Sequence, residues 1–141
     1  MNELLHEVYP VEKGAFETAG EVSGTIKRML RKLGVPSQVI RRVSVASYEV
    51  ELNLVIHSLG GQMEIFIEPE SVTLDVSDRG PGIPDLDLAM QEGWSTASDE
   101  VRTLGFGAGM GLPNMKRNAD EFDIRSQVGV GTNIHMKFFC V

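Results

Sequence analysis

Residues 63–82 read MEIFIEPESVTLDVSDRGPG, and the order of apolar and polar side chains along them decides the fold. Met63, Ile65 and Ile67 alternate with Glu64, Phe66 and Glu68, and Val72, Leu74 and Val76 alternate with Thr73, Asp75 and Ser77. A period of two marks a half-buried strand, and the break at Pro69-Glu70 makes the pair a hairpin. Counting on by two from Val76 lands on Asp78, so a carboxylate occupies the apolar face where the strand ends. Burial there is costly unless the carboxylate has a partner.

Upstream, Pro36 opens a helix that runs to the stop at Gly60-Gly61. One apolar row in it is Val45, Tyr48, Leu52, Val55 and Leu59; a second is Val39, Val43, Ala46 and Val50. Continuing the second row by three and four reaches Asn53 and His57, two polar side chains where the pattern asks for core. Glu49 lies one turn before Asn53. Glu51, about 200° round the helix from Glu49, is expected in solvent. His57 reads as a satisfied core polar residue rather than a ligand. Farther upstream, Ala19, Val22, Ile26, Met29 and Leu33 mark an amphipathic helix over 17–33, ended by Gly34.

Downstream, residues 84–110 read as a long loop with one helical turn around Leu86 to Gln91, and ordered loops of that length serve as lids over functional sites. Leu112, Met115 and Ala119 start a short helix beside Gly111, and Phe122 to Gln127 reads as a strand. Gly129-Val130-Gly131 turns the chain into a last strand, where Thr132 shares a face with Ile134, Met136 and Phe138. The expected architecture is an α/β (α+β) two-layer sandwich. A mixed, mostly antiparallel sheet packs one face against helices at 17–33, 36–60 and about 112–120. The 141 residues are expected to form one domain, with the lid at about 84–110.

Thirteen Lys and Arg against twenty Asp and Glu give a net charge of −7, which argues against nucleic acid or an anionic membrane as the main partner. The basic stretch Lys27, Arg28, Arg31 and Lys32 closes a helix, where cations complement its dipole; a docking surface for an acidic partner is the other reading. The one cysteine, Cys140, has no internal partner, and the first residues lack a signal-peptide pattern, which together point to the cytoplasm. No stretch is apolar enough to span a membrane, and the Cys and His residues lack zinc-type spacing.

Four segments spend polar or glycine residues where packing does not ask for them: Glu49 to Asn53, Asp78 to Gly82, Gly105 to Gly111, and Gly129 to Thr132. A glycine run opening a helix offers backbone N–H groups to phosphate. There is no Gly-Lys-Ser/Thr, and the glycines do not fit the dinucleotide spacing, so neither common nucleotide fold applies. In this order and at these separations the four segments resemble the Bergerat-type ATP-binding fold of the GHKL superfamily, and within it the anti-sigma-factor serine/threonine kinases. Glu49-Val-Glu-Leu-Asn53 resembles the N box. Asp78-Arg-Gly80-Pro-Gly82 resembles the Asp-x-Gly-x-Gly box, Gly107-Ala-Gly109-Met-Gly111 the glycine box of the lid, and Gly131-Thr132 the closing Gly-Thr.

The resemblance implies that Glu49 is a general base, that Asn53 holds Mg²⁺, that Asp78 accepts the adenine amino proton and that the Thr132 hydroxyl helps bind adenine. The lid glycines and the helix start at Leu112 would surround the phosphates of ATP or ADP, with Lys116 and Arg117 as further contacts. It implies phosphorylation of a small STAS-domain antagonist on Ser or Thr in a partner-switching pathway, with that antagonist or a sigma factor as partner and a homodimer as a further expectation. The alternatives are an ATP-gated module that sequesters a partner without catalysis, and a stand-alone subunit that phosphorylates His. The chemistry of the residues agrees. Asn53 offers the neutral oxygen that suits Mg²⁺, and a carboxylate at Glu49 can orient or deprotonate a hydroxyl. Arg79 departs from the Asn that many relatives carry, at a variable position, and the lid has no long insertion. Trp94 and Phe106 read as packing anchors, Ser95 and Thr96 as ordinary loop residues.

Overall fold

The computed structural model describes residues 4–91 and 111–140. In chain order the elements are β1 (Leu5–Val11), a 3-10 turn (Phe16–Thr18), α1 (Glu21–Lys32), α2 (Ser37–His57), β2 (Gly61–Ile67), β3 (Ser71–Asp78), α3 (Leu86–Ala89), α4 (Gly111–Asn118), β4 (Glu121–Gln127) and β5 (Gly131–Phe139). The strands form one sheet in the order β1-β2-β3-β5-β4. All four pairings are antiparallel, so the described sheet contains no parallel pair.

Register follows from the alternation. Ile65, Leu74 and Met136 stand side by side across three strands, as do Met63, Val76 and Ile134, and Ile67, Val72 and Phe138. All nine are buried. Against them lie Ile26 and Leu30 of α1, Val39, Val43, Ala46, Val50 and Leu54 of α2, and Met115 of α4. The opposite sheet face carries cross-strand polar pairs, His6 with Glu64 at 2.6 Å and His135 with Asp75 at 2.5 Å. Two layers and one core result.

The sheet buries the α2 row that leads to Asn53 and His57. The other row faces outward over much of its length: Val45, Tyr48 and Leu59 are exposed, Tyr48 by 40% and Leu59 by 56%. A helix apolar on two sides can lay only one of them on a sheet, and here the row that ends in polar residues is the one taken. β1 does not stand out in the sequence because Glu7 and Pro10 interrupt its pattern; as an edge strand paired with β2 alone it can carry a proline.

Candidate functional site

The helix α2 brings Glu49 and Asn53 to the head of α4. A Cβ placed on Gly111 would lie 3.3 Å from both Glu49 Oε2 and Asn53 Oδ1, so the missing side chain leaves the two polar groups beside the first turn of α4. Both are half-buried. Burial raises the Glu49 carboxyl above the usual carboxylate range, and a hydrogen bond from the Asn114 side chain pulls it partly back. Asn114 is a contact that the sequence did not announce. Its only signal was its position in the first turn of a helix that begins beside the N box. Among the described residues no hydrogen bond claims the Asn53 amide.

Glu51 is not in solvent. It is 2% exposed, and its carboxylate accepts three N–H bonds at the start of α1, from Gly20 (3.0 Å), Val22 (3.3 Å) and Ser23 (2.9 Å). The helical direction away from Glu49 was right, but what lies there is a helix N-terminus with unsatisfied donors and a positive dipole end. Gly20 has no side chain to cap that helix, so Glu51 caps it from α2.

At the far end of the sheet, Asp78 closes β3 as its parity requires. Its Oδ1 accepts the backbone N–H of Thr132 at 2.9 Å, and among the described residues no hydrogen bond is made by Oδ2. Desolvation raises the Asp78 carboxyl above the usual carboxylate range, and the Thr132 bond offsets that only in part. The Thr132 hydroxyl hydrogen-bonds Ser126 Oγ at 2.9 Å, and Ser126 also receives the N–H of Ile83 at 2.7 Å. Ser126 thus ties β4, β5 and the Gly82 loop together, a role with no sequence signature. Arg79 continues the link to α2: its carbonyl accepts from Leu59 N at 2.6 Å and its N–H donates to Gly60 O at 3.0 Å.

The glycines around Asp78 are there because backbone meets backbone. A Cβ on Gly82 would come within 2.6 Å of the Gln127 carbonyl oxygen, and its φ of +75° is itself unsuited to a side chain. One on Gly80 would touch Ser58 Cα at 3.3 Å, and one on Gly61, which pairs with Asp78, would sit 2.9 Å from Asp78 Cα. Gly61 looked only like a helix stop in the sequence; inside β2 it marks a close backbone approach. A Cβ on Gly131 would overlap the Asp78 carbonyl oxygen and lie 3.0 Å from its carbon. Gly131→Ala is therefore expected to cost about 1–3 kcal/mol, as overpacking does, and to weaken nucleotide binding with it. Denaturant melts read the first effect and calorimetry with ADP the second; an unchanged midpoint would mean that the strand end yields freely.

The remaining candidates stand elsewhere. Leu112 is buried in the core, so only its backbone is available at the start of α4. Lys116 and Arg117 are exposed in the last turn of α4, and Lys116 lies roughly 7.5 Å along the axis from Gly111. His57 is half-buried at the C-terminus of α2, and burial lowers its pKa from the usual histidine value. Gly107, Gly109, Trp94, Ser95, Thr96 and Phe106 lie outside the described residues.

The donor set at Asn53 fits Mg²⁺, which takes one or two protein oxygens and fills its shell from phosphate and water. No helix among the described residues is long and apolar enough to cross a membrane.

A family model for the histidine kinase-like ATPase domain matches residues 15–138. The chain is 31% identical over 112 residues to the serine/threonine-protein kinase RsbT of Bacillus subtilis (strain 168), which covers 77% of this chain and 78% of that protein. It is 33% identical over 102 residues to an anti-sigma F factor of Thermoanaerobacter sp., covering 69% and 68% of the two. It is 30% identical over 118 residues to the anti-sigma F factor of Clostridium acetobutylicum, covering 80% and 79%. The helix-borne Glu49–Asn53 pair, the Asp78 strand end and these similarities agree: the chain belongs to the histidine kinase-like ATPase family of the GHKL superfamily, in the branch of the anti-sigma-factor serine/threonine kinases.

Proposed function

We propose that the chain binds ATP beside Glu49 and Asn53 of α2 and transfers its γ-phosphoryl group to a Ser or Thr hydroxyl of a small STAS-domain antagonist, exchanging that antagonist and a sigma factor as partners in the cytoplasm. The observation that carries this reading is the meeting of Glu49 and Asn53 at the head of α4. Phosphoryl transfer asks a protein mostly for positioning and charge neutralisation. Backbone N–H groups in the first turn of α4 would meet the phosphates. Asn53 is the residue that would hold Mg²⁺, which neutralises phosphate charge when bound. Glu49, its carboxyl made more basic by burial, orients the acceptor hydroxyl and takes its proton. Asp78 binds the adenine amino group through the oxygen that Thr132 leaves open.

The test is radiolabelled transfer from ATP to a cognate STAS protein, with label that survives acid scored on Ser or Thr. Acid-labile label points to His instead. Binding of ATP with no label on any such protein points to a non-catalytic sequestering module.

Asp78→Asn tests the adenine end. The amide can keep one oxygen for the Thr132 N–H, but then its NH₂ meets the adenine amino group, donor against donor. Loss of one charge-assisted hydrogen bond is expected to cost about 1.5–3 kcal/mol, tenfold or more in affinity. Calorimetry that gives Asp78→Asn the wild-type affinity for ADP would place adenine elsewhere.

A further inference from the structure

We propose that Glu51 is a positioning residue of the phosphoryl-transfer site: its carboxylate fixes the rotation of α2 about its own axis, and that rotation holds Glu49 and Asn53 at the head of α4. The inference rests on the reading of the site given above. Glu51 does not face the nucleotide side; it acts through its neighbours on the helix.

Three N–H groups meet on this one buried carboxylate, Ser23 on Oε1 and both Gly20 and Val22 on Oε2. The receiving turn is stiffened in its own right, because Ser23 Oγ donates to the Gly20 carbonyl at 3.1 Å. Gly20 has φ +99°, and a Cβ there would stand 3.4 Å from the Tyr48 ring. The start of α1 therefore touches α2 at Tyr48 and at Glu51, the residues on either side of Glu49 and Val50. Glu49 and Asn53, two residues before and after Glu51, lie on the opposite flank at steps of about 200°.

The leverage is large. An atom about 6 Å from a helix axis moves about 1 Å when the helix rolls by about 10°. Misplacement of about 1 Å at a reacting centre costs on the order of a hundredfold in rate. The apolar contacts of α2 with the sheet are non-directional, and another directional tie of the helix, from Arg42 to Asn118, Asp120 and Phe139, lies about two turns away from Glu49. Charge-assisted bonds to a fixed helix terminus are directional and resist it.

The experiment compares Glu51→Ala and Glu51→Gln with Leu30→Ala, a buried α1 substitution that loosens α1 without altering the carboxylate. ADP affinity is measured by calorimetry with and without Mg²⁺, and single-turnover transfer from ATP to the STAS protein is timed at a temperature where all variants are folded. Glu51→Ala is expected to lose at least about tenfold of the Mg²⁺-dependent gain in ADP affinity and at least about tenfold in transfer rate. Mg²⁺-free affinity, set by Asp78 on β3, should stay within about threefold. Glu51→Gln keeps an acceptor oxygen and should fall between Glu51→Ala and wild type. Leu30→Ala should melt earlier yet keep the wild-type Mg²⁺ response. Should Glu51→Ala fail to fold, Glu51→Gln carries the same comparison. Variants that lose stability but keep the wild-type Mg²⁺ response and transfer rate would reduce Glu51 to a helix cap and overturn the inference alone. Wild-type protein whose ADP affinity ignores Mg²⁺ would overturn the site reading and this inference together.

Discussion

Glu49→Gln is expected to bind ATP almost as wild type and to transfer phosphate at least about a hundredfold more slowly. The substitution keeps the shape of the side chain, and the amide oxygen can still accept from Asn114. What it removes is the ability to take a proton. A positioned general base contributes about 10²–10⁴ in rate and little to ground-state binding. The loss therefore falls on the rate of transfer rather than on affinity. The measurement is single-turnover labelling of the STAS substrate with nucleotide affinity followed in parallel, and equal labelling by wild type and Glu49→Gln would remove Glu49 from the chemistry.

Asn53→Ala is expected to abolish the Mg²⁺-dependent part of nucleotide binding while leaving the fold in place. Asn53 is half-buried and has no hydrogen-bond partner among the described residues, so packing gains little from its amide. Removal should shift stability by no more than about 0.5 kcal/mol, or about 2 °C in Tm for a chain of this size. A titration of ADP affinity against Mg²⁺ should turn flat. Earlier melting combined with normal Mg²⁺·ATP binding would make Asn53 a core residue and would give the metal another ligand.

The strands between Met63 and Phe138 were legible because a half-buried sheet imposes a period of two, and Asp78 could be placed by counting alone. Asn53 was legible for a related reason: an apolar row that leads to a polar residue must either waste it or use it. Reading failed where a side chain's surroundings come from distant sequence. Glu51 was directed correctly and misjudged, because the α1 terminus that receives it lies some thirty residues earlier. β1 was unread because its pairing partner β2 is more than forty residues away and its own alternation is broken. Periodicity also could not rank the two apolar rows of α2, since which one a helix buries is decided by the sheet beneath it.

Gly61, Gly82 and Gly131 close the Asp78 end of the sheet by laying peptide against peptide, with no room for a side chain between. Shape made in that way has no rotamers to lose. Drift in the core can exchange Leu for Met or Ile for Val, and the layers will adjust by fractions of an ångström. The frame that holds Asp78 has nothing comparable to exchange. In a lineage of this protein these three glycines should thus change far more slowly than the packing beneath them. If adenine binds there as proposed, a change of base preference is to be sought in the side chains of Asp78 and Thr132 before the glycines that frame them.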